Sequence, residues 1–84
     1  MEIQVLGRYI VVDPEICHGE PIFRGTRILV ADVLEQVANG ITWEAIIEEW
    51  HGVLTKEAIA EAVRLAREAL VTRTSELTPV TTNS

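Results

Sequence analysis

Thr42-Trp43-Glu44-Ala45-Ile46-Ile47-Glu48-Glu49-Trp50-His51-Gly52-Val53-Leu54-Thr55 reads as a capped helix, a break and a second cap. Thr42 is a natural N-cap, because its hydroxyl can accept from an orphan N–H of the first turn. Trp43, Ile46, Ile47 and Trp50 recur at helical spacing and form one apolar face. Glu44 falls in the first turn, where the helix dipole favours an acid. His51-Gly52 stops the helix, and Thr55 opens a longer one carrying Ile59, Ala62, Val63, Ala66 and Leu70 on one face. Ala58, Leu65 and Ala69 widen that stripe, so this helix is expected to meet two neighbours.

Upstream, Val30, Val33, Leu34 and Val37 define another helical face, and Asn39-Gly40 is its C-terminal stop. The spacing thus predicts helices over 31–39, 43–50 and 56–72, with Val33, Leu34, Val37, Ile46, Ile47, Ile59, Val63 and Ala66 buried. Short connections between them make a tri-helical bundle with a helix-turn-helix unit. Further upstream the chain is extended and turn-rich. Ile3 and Val5, then Tyr9 to Val12, flank Gly7-Arg8 as a first hairpin. Asp13-Pro14 ends that run. Pro21 to Arg24 and Arg27 to Leu29 flank Gly25-Thr26 as a second hairpin, with Gly first in a II′ loop. The predicted fold is mainly α: three helices with short N-terminal β-hairpins, one domain over 1–74, and a disordered tail over 75–84, where periodicity vanishes.

Composition narrows the function classes. The chain has 84 residues, 48 % of them hydrophobic, enough for one modest core. Dimerisation would add buried apolar area that so small a monomer cannot supply, and a homodimer is expected. Net charge is −6, and residues 31 to 54 hold Asp32, Glu35, Glu44, Glu48 and Glu49 with no Lys or Arg. No long-range positive field would steer the chain alone onto nucleic acid. A single cysteine and the lack of a signal-peptide pattern or a membrane-length apolar run point to a reducing, cytoplasmic setting.

No catalytic constellation stands out, and the expectation is a binding protein rather than an enzyme, with no cofactor and no metal. Cys17-His18 could suggest a thiolate pair or a ligand set, but His51 is the only other His or Cys. Glu44, Glu48 and Glu49 read most simply as a solvated face. The candidate partner- or nucleic-acid-binding residues are the basic ones: Arg24, Arg27, Lys56, Arg64, Arg67 and Arg73. Arg24 and Arg27 flank the Gly25-Thr26 turn. Either they reach phosphates or the acidic site of a partner, or one of them pins the turn by bonding backbone carbonyls. At the start of the last helix Lys56, Glu57, Ala60, Glu61 and Arg64 are the exposed set. They form either a groove-reading face or a solvated one in which Glu61 pairs with Arg64.

The segment His18-Gly19-Glu20-Pro21-Ile22-Phe23-Arg24-Gly25-Thr26-Arg27-Ile28-Leu29-Val30, with Asp13-Pro14 before it and Gly40-Ile41-Thr42 after it, resembles family 433 of the domains of unknown function. The match is carried by Gly19, Pro21, Arg24, Gly25, Thr26 and Arg27, and extends over roughly residues 9 to 71. Relatives often carry a proline in the turn before the last helix, where this chain has His51-Gly52. The resemblance implies a homeodomain-like helix-turn-helix fold and the antitoxin half of a toxin–antitoxin module. It further implies a PIN-like ribonuclease as the toxin partner, and a pair that binds its own promoter as operator DNA.

Overall fold

In a computed structural model that describes residues 2–76, three short strands precede three helices. They are β1 (Gln4–Val5), β2 (Ile10–Val12), β3 (Pro21–Phe23), α1 (Val30–Ala38), α2 (Trp43–Glu49) and α3 (Lys56–Glu76). The end of the expected tail, residues 77–84, lies outside the described residues. α3 runs on to Glu76, past the expected stop at 72.

The helix boundaries follow from caps. Thr42 Oγ1 accepts from the Ala45 N–H at 3.1 Å, and Thr55 Oγ1 from the Ala58 N–H at 3.1 Å. α1 ends in a Schellman motif: Ile41 N–H donates to Gln36 O and Gly40 N–H to Val37 O, with Gly40 at φ +80°. α2 ends the same way, with Gly52 N–H on Ile47 O and His51 N–H on Glu48 O. Here the left-handed position is taken by His51 at φ 59°, a conformation that glycine adopts without the steric penalty.

The strands form one antiparallel meander, β1-β2-β3, rather than two separate hairpins. The first hairpin is as expected, with Gln4 opposite Val12 and Val5 opposite Val11. The second is short, a bridge between Ile22 and Leu29 with Phe23 N–H on Ile28 O at 3.1 Å, while the other edge of β3 pairs along β2, Ile10 opposite Phe23 and Val11 opposite Ile22. Alternation along β2 explains the pairing: Ile10 and Phe23 enter the helical core, and Val11 and Ile22 are buried on the other face. The domain is therefore mixed α/β, three helices packed with a small three-stranded antiparallel sheet.

Val33, Ile46 and Ile59 are fully buried at the meeting of the three helices, with Phe23, Ile10, Leu54, Ala58 and Ala62 around them. Leu34, Val37, Ile47, Trp43 and Trp50 are half-buried against this core. The Trp50 indole N–H is satisfied by Gln36 Oε1 at 2.9 Å.

The face of α3 differs from the periodic expectation. Ala58, Ile59 and Ala62 are buried and Leu65 half-buried, whereas Val63 and Ala66 are exposed and Leu70 is 65 % exposed. Two causes act. The β1–β2 hairpin docks beside Ala58 and Ala62 and turns the helix toward it. α1 and α2, about 13 and 10 Å long, cannot cover a helix of about 31 Å. The distal half of α3 therefore extends past the body.

Candidate functional site

Two features converge on the end of the sheet nearest the start of α3. The first is the turn at Arg24 to Arg27. Thr26 N–H donates to Phe23 O at 3.0 Å, so the turn spans Phe23 to Thr26 and Gly25 is its third residue, at φ +76°. That is the position at which a type II turn requires positive φ, not the first loop position of a II′ hairpin. The Thr26 hydroxyl donates to Phe23 O at 2.7 Å and accepts from the Ile28 N–H at 3.0 Å, bracing both sides. Arg24 folds back onto the first hairpin. Its Nε donates to Arg8 O at 3.0 Å, its Nη2 to Gly7 O at 3.3 Å, and its backbone N–H to Tyr9 O at 2.8 Å. Arg24 is thus the arginine that pins backbone carbonyls. Arg27 is exposed, and its guanidinium has no hydrogen-bond or ion-pair partner among the described residues.

Around this turn lies a hollow of about 440 Å³ with a floor of Ile3, Val11, Ile16 and Ile22 and a rim of Asp13, Arg24 and Arg27. Directly after Ile16 the chain is strained: Cys17, His18 and Gly19 have φ of 53°, 59° and 79°. Left-handed backbone costs about 1–2 kcal/mol at each non-glycine residue. The turn is held by Gly19 N–H on Ile16 O and Glu20 N–H on Cys17 O, while Cys17 Sγ lies 3.6 Å from Arg27 O as a weak donor. Cys17 thereby ties the strained turn to the backbone of Arg27.

The second feature is one that the sequence did not reveal. Glu61, read there as solvated or paired with Arg64, accepts the backbone N–H of Arg8 at 2.8 Å and of Tyr9 at 2.7 Å. Successive backbone N–H groups converging on a carboxylate make a small anion cradle. Gly7 completes it, since a Cβ there would lie 2.6 Å from the Glu61 carboxyl carbon. The Arg8 guanidinium stands over the Tyr9 ring, 5.6 Å from its centroid. No local pattern could have signalled a contact spanning 52 to 53 residues.

The remaining basic candidates are dispersed. Lys56 Nζ pairs with Glu44 at 3.2 Å between two exposed side chains. The Glu44 carboxyl sits below its ordinary range, first through a hydrogen bond from its own backbone N–H and then through the Lys56 hydrogen bond and charge. Arg64, Arg67 and Arg73 are exposed along α3, with no bonded partner among the described residues. Glu48 and Glu49 are exposed on α2. Among the described residues no three His, Cys, Asp or Glu side chains gather as a metal-binding set, and no helix is long and apolar enough to cross a membrane.

The family described as "Protein of unknown function (DUF433)" matches residues 10–66, and the chain belongs to it. That span holds the braced turn, the three-residue left-handed segment and Glu61. The uncharacterized protein y4eO of Sinorhizobium fredii (strain NBRC 101917 / NGR234) is 39 % identical over 57 residues, 68 % of this chain. The chain spans 24 % of that relative's length. No solved structure matches it.

Proposed function

We propose that this member of the family is a non-enzymatic, antitoxin-like protein that neutralises a PIN-like nuclease partner. In this reading the three helices act as a homeodomain-like helix-turn-helix unit, and the complex rather than the chain alone engages operator DNA. The observation that supports it is the state of Arg27. A guanidinium free of partners among the described residues stands on a turn braced by Thr26, Arg24 and Cys17. A nuclease of this class gathers carboxylates, and a guanidinium pairs with them bidentately. A prebraced turn presents it with little further loss of conformational freedom. Arg24 serves this delivery by holding the turn, its Nε and Nη2 donating to Arg8 O and Gly7 O.

The stand-alone DNA-binding alternative has less in its favour. Lys56, at the start of α3, is engaged by Glu44, and Glu61 is held by the hairpin. The deciding experiment co-produces the chain with the nuclease of the adjacent reading frame and measures RNA cleavage. Arg27→Ala, checked for native circular dichroism, is expected to weaken inhibition at least tenfold, on the order of the 1.5–3 kcal/mol of a charge-assisted bond. Full inhibition by Arg27→Ala, or no complex with the nuclease, would reject the reading. The purified chain alone is expected to leave its upstream DNA unshifted at physiological salt.

A further inference from the structure

The small sheet is apolar on both sides. Its inner face sends Ile10 and Phe23 into the helical core. On the outer face Val5, Val11 and Ile22 stand in one row across the three strands, because directly paired residues share a side. Ile3, two residues before Val5, continues that face and joins Val11, Ile16 and Ile22 in the floor of the hollow of about 440 Å³. Val11 and Ile22 are buried, but Ile3 is 55 % and Val5 64 % exposed. An antiparallel sheet with one face in the core ordinarily turns polar residues to water on the other. Here two large aliphatic side chains stay open to solvent at the hollow, whose volume falls in the ~300–1,000 Å³ range of built binding sites.

We infer that this outer face seats an apolar side chain of the nuclease partner, carried beside the carboxylate that pairs with Arg27. The inference rests on the nuclease reading and adds to it the chemistry of the docking segment: an acidic residue next to a large aliphatic or aromatic one. The charges on the rim select that segment. Asp13 Oδ1 accepts the Glu15 N–H at 2.9 Å, and Arg24 holds the carbonyls of Arg8 and Gly7. Of the three rim charges, only the Arg27 guanidinium has no partner among the described residues, and no described acid reaches ion-pair distance of it. The unmet charge is therefore positive, and it borders exposed apolar surface. An ion pair on an open rim contributes little by itself, because water and salt screen it. An apolar side chain laid into the hollow excludes water from the guanidinium and strengthens its pairing with the carboxylate. A ligand with only one of the two groups would meet half of what this face offers.

The test is titration calorimetry of the full chain with the nuclease of the adjacent reading frame, at several temperatures and salt concentrations. Arg27→Ala is expected to weaken binding about tenfold and to flatten its salt dependence. Ile3→Ala combined with Val5→Ala truncates two exposed side chains, so the fold is kept. That double variant is expected to bind about tenfold more weakly, with a less negative heat-capacity change and the wild-type salt dependence. Leu70→Ala, at a 65 % exposed apolar site on distal α3, is the control and is expected to shift affinity by less than about twofold. No complex at all would reject the nuclease reading and this inference with it. A complex weakened by Arg27→Ala but indifferent to the Ile3/Val5 variant, or weakened equally by Leu70→Ala, would overturn the inference and leave the nuclease reading standing. So would sedimentation of the chain alone showing self-association that the Ile3/Val5 variant abolishes, because the face would then be covered by a second copy.

Discussion

Replacing Glu61 with Ala removes the carboxylate that ties α3 to the first hairpin, and the size of the loss can be worked from its contacts. Two backbone donors, Arg8 N–H and Tyr9 N–H, lose their acceptor. A hydrogen bond to a charged group is worth about 1.5–3 kcal/mol. The Arg8 donor is exposed and can turn to water, whereas the Tyr9 donor is part-buried and recovers less. A net destabilisation of about 2 kcal/mol follows, which for a domain of this size lowers Tm by roughly 8–16 °C. Gly7→Ala is expected to act through the same contact. Its Cβ would meet the carboxylate at 2.6–2.7 Å, and the flexible Glu61 side chain can swing away only by giving up both bonds. The two substitutions therefore compose a double-mutant cycle, read by thermal unfolding at one fixed protein concentration. Gly7→Ala should cost about 1–2 kcal/mol in the wild type and under about 0.5 kcal/mol when Glu61 is already Ala. Equal costs in both backgrounds, or a Glu61→Ala protein as stable as the wild type, would refute the latch.

His51→Gly relieves a left-handed side-chain position at the end of α2, and should stabilise by about 0.5–1 kcal/mol, seen as a Tm raised by a few degrees. Thr26→Val keeps the shape of the turn but leaves the Ile28 N–H without its acceptor. An expected loss of about 1–2 kcal/mol should appear as a lower urea midpoint with an unchanged m-value. Glu44 has a folded pKa depressed below 4.5, so its contribution is present above that value and is lost as pH falls through the folded pKa. The Tm difference between wild type and Glu44→Gln should accordingly be positive at neutral pH and close as the solution is acidified below pH 4.5. A gap that widens on acidification would contradict the sign.

The sequence by itself determined the local elements of this protein. Thr42 and Thr55 mark helix starts, and Gly40 and His51-Gly52 mark helix stops, because caps and left-handed residues act within a few positions of one another. Period alone located Val33, Ile46 and Ile59 in the core. It also singled out the Arg24 to Arg27 turn, whose glycine is required by its φ of +76°. What only the tertiary structure decided is how these pieces face one another. β3 joins β2 as well as bridging to the Arg27 to Leu29 arm, and the pairing with β2 seats Phe23 in the helical core and buries Ile22 on the other face. The face of α3 is turned toward Ala58 and Ala62 and away from Val63 and Ala66, because a hairpin some fifty residues upstream is fastened to Glu61. The bonds of Arg24 to Arg8 O and Gly7 O assigned it to the backbone and left Arg27 without a partner among the described residues, a division that two arginines three apart could not disclose. Periodicity records that a helix has an apolar side, but the angle at which it settles depends on which distant donors find its carboxylates.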